Sequence, residues 1–578
     1  MLEERTHNRR SSKWFEPDND LGFKHRVALR CQGFSSLAFA GRPIIGICNS
    51  WSELNNCNVH LRSVADAVKR GVWAAGGFPL EFMTISLGEQ LMMPTTMLYR
   101  NLMAMDVEEM IRSNPIDGVV LLCGCDKTTP AQIMGAASMD VPAIVLSGGP
   151  MLSGRWRGQK VGSGTDLFKL WDERRAGRVK ENDWQELEGC FSRSAGHCNT
   201  MGTASTMTSL AEALGMMLTG TASIPAPDSR RLEAAELTGR RIVEMVAEDL
   251  RPSKILVPEA FENAIRVLLA LGGSTNAVIH LLAIAGRVGV PLKLDQFDQL
   301  ARETPVIVNL RPSGEYLMED FYYAGGVPAV MREILPLLHH NVLSVSGKTL
   351  AQNLTGAICY NRDVICSLDQ PLHSKGSINV LYGNLCPRGA IIKTSAASAH
   401  LLEHTGPAVV FDSYEEMMAK IENESLDVSE TSVLVLRNAG PVGAPGMPEW
   451  GMIPIPTKLV KRGITDMVRI SDCRMSGTSF GTIVLHVSPE SAIGGPLAAV
   501  RTGDLIHLDV KDRKLSLLVS QDELQRRVAK WKRPPQRFKR GYYTMFLDHV
   551  LQADEGCDFD FLRAVPGEKP YEPQIGNT

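Results

Sequence analysis

A change of rhythm near residue 370 limits the fold of this 578-residue chain more than any other feature. Before it, short apolar runs alternate with segments whose apolar residues recur at helical spacing. Residues 43–48 (PIIGIC), 118–123 (GVVLLC) and 142–147 (PAIVLS) read as buried parallel strands, each ending in a polar or glycine-rich turn. Residues 60–75 and 97–113 between them read as helices, as do 205–218, 228–250 and both halves of 259–288. This alternation predicts an α/β layer structure with a parallel sheet core, in which chemistry collects where loops leave the carboxyl ends of strands. After it come short strand candidates among glycine and proline turns, at 377–382, 390–393, 408–411, 432–437 and 482–487. Residues 505–510 and 515–520 bracket the turn Lys511-Asp512-Arg513 as a hairpin. The expectation is an N-terminal α/β domain (1–370) followed by a C-terminal β-barrel-like domain (371–578).

Charge and composition exclude several classes. Lys plus Arg number 61 against 64 Asp plus Glu, so no global field draws nucleic acid or an anionic membrane to the chain. Hydrophobic residues make up 44%, enough for substantial cores and against disorder as the main state. The first twenty residues carry acids and no apolar core, so they read as neither signal nor transit peptide. The longest hydrophobic stretch, 264–290, is interrupted by Arg266, Asn276, His280 and Arg287 and reads as no membrane span. A cytoplasmic protein is expected, its twelve cysteines reduced and mostly buried.

Three of those cysteines stand among Asn, Asp, Thr and Gly instead of packing residues: Cys57 (ELNNCNVH), Cys125 (LLCGCDKTTP) and Cys198 (SAGHCNTMGTAS). Singly, each reads more simply as a buried thiol, and Cys123, inside its apolar run, reads as core. Together they offer soft ligands for zinc or an iron–sulfur centre, and three protein ligands leave a position open for catalysis. Asp126 and Lys127 follow Cys125 at the mouth of a strand. Glu89, in SLGEQLMMPTT, occupies a similar turn. These carboxylates are either turn residues or oxygen ligands for a hard cation such as Mg²⁺.

The run Cys125-Asp126-Lys127-Thr128-Thr129-Pro130 resembles the first diagnostic motif of the dihydroxy-acid/phosphogluconate dehydratase family. Ile470-Ser471-Asp472-Cys473-Arg474-Met475-Ser476-Gly477-Thr478 resembles the second. Gly272-Gly273-Ser274-Thr275-Asn276-Ala277, the segment 201–207 and Gly148-Gly149-Pro150-Met151 match further family segments in order. The resemblance implies a lyase that removes water from a 2,3-dihydroxy acid to give a 2-oxo-3-deoxy acid. It implies an iron–sulfur cluster on Cys57, Cys125 and Cys198, with [2Fe–2S] favoured over [4Fe–4S]. It also implies Mg²⁺ on Glu89, Asp126, a carbamylated Lys127 and Glu449, the alkoxide of Ser476 as base, and a homodimer or homotetramer.

These roles are chemically coherent. The C2 proton of a hydroxy acid is very weakly acidic, so a cation gripping the carboxylate must stabilise the developing enediolate. Serine serves as a base only where a cation and hydrogen bonds lower its pKa. Asn199-Thr200 after the third cysteine departs from the branched-chain pattern and, with 475–478, resembles the sugar-acid branch, acting on aldonates such as L-arabinonate, D-xylonate or D-galactonate. Ser471 and Cys473 depart from the second motif, and Cys473 reads as a small buried residue. Thr478 either touches substrate or shapes a turn. Ser274, Thr275 and Asn276 read as a helix cap. His197 is an acid, a donor or a local contact, and Gly148-Gly149 a weak anion cradle. The basic run 530–540 reads as solvated surface. Branched-chain dihydroxy-acid dehydration, a non-catalytic iron–sulfur redox sensor and a structural zinc protein remain the competing readings.

Overall fold

The structure is a computed structural model that describes residues 9–535 and 538–575. Residues 1–8 of the leader reading, and two residues of the basic run, 536 and 537, lie outside it. Strands β1 (Ile44–Asn49), β2 (Phe78–Met83), β3 (Gly118–Cys123) and β4 (Ala143–Ser147) form one parallel sheet in the order β2-β1-β3-β4. β1, β3 and β4 are buried from end to end, which explains why they are apolar without alternation. The edge strand β2 carries Pro79 and Glu81 and is half exposed, so its sequence gives a weaker strand signal. The chain passes from β1 outward to β2, then returns to lay β3 on the other side of β1. The β1 and β3 loops therefore diverge at a switch point, the crevice where open α/β sheets hold ligands.

Helices Leu61–Ala74 and Ser229–Glu248 pack as one pair over this sheet, and Arg100–Ser113 packs on Thr128–Met139 as another. The helices Thr203–Ala213, Pro258–Ala270 and Asn276–Arg287 are buried almost all round and extend the same core. A two-stranded ribbon, β5 (Gly154–Trp156) and β6 (Gln159–Val161), projects after β4.

Eight further strands close a barrel: β7 (Ile378–Gly383), β8 (Cys386–Lys393), β9 (Glu403–Phe411), β10 (Val433–Leu436), β11 (Arg469–Ser471), β12 (Ile483–Ser488), β13 (Leu505–Asp509) and β14 (Lys514–Leu517). The order is β10-β11-β12-β8-β7-β14-β13-β9, with β9 to β12 mutually parallel where they adjoin and β13-β14 an antiparallel hairpin. Alternation along the strands fills the interior with Ile392, Val433, Val435, Ile470, Val484 and Leu508. The barrel is thus mixed, and closure leaves no free edge. Beyond it the chain returns to the first unit: Tyr542 stacks on Tyr99, the carbonyl of Cys557 accepts from buried Arg100, and Asp558 pairs with Arg287. Among the described residues, no helix is long and apolar enough to cross a membrane.

Candidate active site

Every residue drawn from the first unit sits on a loop at the carboxyl end of the parallel sheet. Cys57 lies between β1 and its helix, Glu89 after β2, and Cys125, Asp126 and Lys127 between β3 and the helix Thr128–Met139. Cys198 arrives from farther along the chain. The segment before it pairs with the extension of β4, His197 N–H donating to Gly149 O (3.0 Å) and Met151 N–H to His197 O (2.8 Å). Gly124 permits the first two thiol loops to meet, because a Cβ there would stand 2.8 Å from Asn58 Oδ1.

The three thiols converge. Cys57 and Cys125 are buried at 2% and 1% exposure, and Cys57, Cys125 and Cys198 lie within electrostatic reach of one another. The Cys125 thiol, burial and the neighbouring acid Asp126 together hold Cys57 well above the usual thiol range. Burial, with Asp126 adding, pushes Cys198 up to about 12. Such thiols stay protonated until a metal displaces their protons. Three soft donors in one pocket, with no fourth cysteine among them, fit an iron–sulfur group better than a closed structural zinc site.

Beside them, ligand oxygens of Glu89, Asp126 and Glu449 all lie within 4.8 Å of one another. The ammonium of Lys127, 1% exposed, stands among them at 3.2 Å from Glu89, 3.3 Å from Asp126 and 3.6 Å from Glu449. It occupies the position of a cation. Burial alone would discharge Lys127, but the three carboxylates outweigh burial and Arg474 and raise its pKa. Burial likewise opposes the charge on Glu89, yet Lys127, Arg474 and the Thr96 hydroxyl (2.6 Å) hold it down at about 2. For Glu449 burial prevails over the same cations, and its pKa is raised. An all-oxygen donor set fits a hard divalent ion such as Mg²⁺, provided Lys127 is converted from ammonium to an oxygen ligand.

Glu449 and Ser476 come from the barrel unit. The turns following β10 and β11 pair with each other: Gly451 N–H donates to Arg474 O (2.8 Å), and Trp450 bridges to Met475. That places Ser476 beside the segment holding Glu449. The Ser476 hydroxyl bonds Thr478 Oγ1 at 2.9 Å. Gly477 lies against the N-terminus of the helix Thr203–Ala213, where a Cβ would sit 2.5 Å from Thr203 N. The unpaired N–H groups and dipole of that helix end favour negative charge on the Ser476 loop.

One site residue has no role in the sequence reading and another has a different one. Arg474, fully buried, donates to Glu449 (2.8 Å), Thr95 Oγ1 (2.9 Å) and Met447 O (2.8 Å), joining the Glu89 loop to the barrel turns. Asn276 was expected in a helix cap. Its side chain instead donates to Glu449 Oε1 (2.8 Å) and Thr203 Oγ1 (2.9 Å), while Thr275 caps without a side-chain bond. The polar repeat Ser274-Thr275-Asn276 in an otherwise apolar stretch was the available signal.

Of the remaining candidates, the two glycines, Cys473 and Cys123 serve the fold. The N–H groups of Gly148 and Gly149 bond Cys123 O and Ser147 Oγ, so neither is aimed at an anion. Cys473 is fully buried in an apolar cluster and pushed up to about 12 by that burial. Cys123 is buried strand core, also at about 12. Thr478 carries a turn: Thr165 donates to its carbonyl at 2.7 Å. His197 is buried, neutral, and bonded through Nδ1 to Cys198 O (3.2 Å), which removes it as a proton donor of ordinary strength.

His197 and His486 are both pushed down to about 3 by burial, with Arg474 adding to the effect on His486. For such a group the folded pKa lies below the unfolded ~6.5, so its stabilisation is present above pH 6.5 and lost as pH falls toward 3. Replacing His486, at φ 55°, with Asn keeps a residue that tolerates this backbone and removes the titration. Relative to wild type, His486→Asn is expected to gain about 1.4 kcal/mol per pH unit between pH 6 and 4. Urea midpoints at pH 7, 6 and 5 measure it; a constant difference would show that His486 titrates normally in the fold.

Comparison with known proteins agrees with this geometry. The chain matches the family description Dihydroxy-acid/6-phosphogluconate dehydratase N-terminal over residues 42–353 and its C-terminal counterpart over 363–557. An L-arabinonate dehydratase of Rhizobium leguminosarum bv. trifolii (strain WSM2304) is 54% identical over 560 residues, 96% of this chain and 97% of its own. An L-arabonate dehydratase of Azospirillum brasilense is 54% identical over 569 residues, 96% and 97% respectively. A 6-deoxy-6-sulfo-D-gluconate dehydratase of Pseudomonas putida is 52% identical over 569 residues, 98% of each chain. With both halves matched and relatives aligned over nearly their full length, the chain belongs to the dihydroxy-acid/6-phosphogluconate dehydratase family, on its sugar-acid branch.

Proposed function

We propose that this protein is a hydro-lyase that converts an aldonate, such as L-arabinonate, D-xylonate or D-galactonate, into its 2-keto-3-deoxy acid. The observation that carries the reading is three carboxylates gathered around Lys127, one of them, Asp126, next to the three thiols, with Ser476 on the turn that adjoins Glu449. Cys57, Cys125 and Cys198 would hold a [2Fe–2S] cluster. Glu89, Asp126, Glu449 and a carbamylated Lys127 would hold Mg²⁺. When bound, these groups supply Lewis acidity at the leaving hydroxyl and at the charge developing beside the substrate carboxylate.

The protein's own residues do the rest. Ser476 Oγ removes the C2 proton, and the helix end against Gly477 stabilises the alkoxide this requires. Thr478, bonded to Ser476, holds the hydroxyl in one rotamer. Arg474 and Asn276 fix Glu449 from two sides. Leu54, Leu91 and Met93, on the loops carrying Cys57 and Glu89, are 71%, 66% and 84% exposed, a patch that a second copy of the chain would cover. A homodimer, or a dimer of dimers, is the corresponding assembly.

Turnover of anaerobically prepared enzyme on L-arabinonate, D-xylonate, D-galactonate, D-gluconate and dihydroxyisovalerate tests the reading. Activity on one or more sugar acids is expected. Activity on dihydroxyisovalerate alone would overturn it, and a monomer in light scattering of the same sample would overturn the assembly.

A further inference from the structure

The loop that carries Glu449 leaves β10, and two buried carboxylates grip its first residues. Asp472, directly after β11, accepts from Ala439 N–H at 3.0 Å. Glu490, on the turn after β12 and 1% exposed, accepts from Val442 N–H at 2.9 Å and Gly443 N–H at 2.8 Å. Gly440 makes room for it, since a Cβ there would stand 2.7 Å from the Glu490 side chain.

The same carboxylate binds the returning chain. Gln552 donates to Glu490 Oε1 at 2.7 Å, and its own side-chain oxygen accepts from Glu490 N–H at 3.0 Å. Farther along this segment, Cys557 packs with Ala553, Ile279 and Met97 on Met447, its thiol 3.8 Å from Met447 Sδ. Met447 closely precedes Glu449, and its carbonyl accepts from Arg474. Glu490 thus ties down the start of the loop directly, and the stretch before Glu449 through the C-terminal segment.

Among the described residues, every polar partner of the Glu490 carboxylate is an N–H donor. An O–H on that carboxyl would face donors alone and forfeit at least one of these bonds. Burial, with Asp472 adding, pushes Glu490 up to about 7 against the Gly443, Gln552 and Val442 donors. Cys557 also faces it and is itself pushed up to about 12 by burial. The charged groups on the surrounding elements are paired elsewhere: Arg388 with Asp554 and Glu555, Arg437 with Asp412, Arg474 with Glu449, and Arg287 with Asp558.

We propose that Glu490 is a positioning residue for the divalent-cation site, setting the Glu449 loop for the ion when ionised and slackening it when protonated. The proposal rests on the Mg²⁺ reading above.

Full-length protein, dialysed free of divalent ions under anaerobic conditions, is titrated with Mn²⁺ and followed by EPR at pH 8 and pH 6. Glu490→Gln keeps the shape and removes the ionised acceptor. At pH 8 the variant is expected to bind Mn²⁺ about tenfold more weakly than wild type, the lower end of what groups behind a metal ligand contribute. At pH 6 the gap should close, because the wild-type carboxyl is then protonated too. Equal affinities at pH 8, or a gap of one size at both pH values, would overturn the proposal and leave the metal site standing. Wild-type protein that takes up no Mn²⁺ at pH 8 would overturn the Mg²⁺ reading and the proposal together. Amide hydrogen exchange gives a check that needs neither variant nor metal. Corrected for intrinsic rates and taken relative to β3, protection of the Val442 and Gly443 amides should fall from pH 8 to pH 6 in wild type. Constant relative protection would overturn the proposal.

Discussion

Ser476→Ala is expected to lower kcat by about 10²- to 10⁴-fold, the range over which a positioned acid–base group contributes, with iron content and visible absorption unchanged. The fold has little stake in the hydroxyl. Ser476 bonds Thr478 within its own turn, and the turn is held by the packing of Gly477 on Thr203 and by the bridge from Met475 to Trp450. The loss should fall equally on kcat and kcat/KM, because the proton moves only in the transition state. A residual rate within tenfold of wild type would remove Ser476 as the base.

Arg474→Met is expected to destabilise the protein by about 3–5 kcal/mol, the usual cost of leaving a buried charge without its partner. The guanidinium bonds three groups from two other loops, and among the described residues Glu449 would retain Asn276 and the more distant Lys127. Arg474→Lys should recover part of this, since an ammonium carries the charge but lacks the planar fork that reaches all three acceptors. Urea unfolding of the metal-free chain measures both. A methionine variant as stable as wild type would show that the carboxylates tolerate one another without this cation.

The sequence made the fold legible where burial is uniform. β1, β3, β4 and the helix Leu61–Ala74 appear within a residue or two and the predicted helix 97–113 starts at Arg100, because apolar runs and helical spacing record burial. It hid β2, whose edge position admits Pro79 and Glu81, and β11, three residues long with Ile470 its one apolar residue between Arg469 and Ser471. The predicted helix at 205–218 ends in the structure at Ala213, two residues before Gly215 reverses the chain at φ 82°. At the site, residues with unusual neighbours were visible singly. Their convergence was not, because Cys198 comes to the sheet through the Pro150–His197 bridge and Glu449 meets the first unit through Asn276 and Lys127, contacts between residues far apart in the chain. Arg474 escaped notice for a physical reason: a lone arginine carries no sign in sequence that it will be buried.

The division of the site between two units also orders events during synthesis. All three thiols have been made by residue 198, whereas Glu449 and Ser476 emerge roughly 250 residues later. At about 5–20 residues per second the interval lasts roughly 10–50 s. Throughout it the nascent chain holds its soft ligands without the barrel that covers them, while the hard-cation pocket still lacks a wall. On the proposed reading, the three thiols are available to iron before the barrel is made, and the oxygen site is complete only once Glu449 has been added.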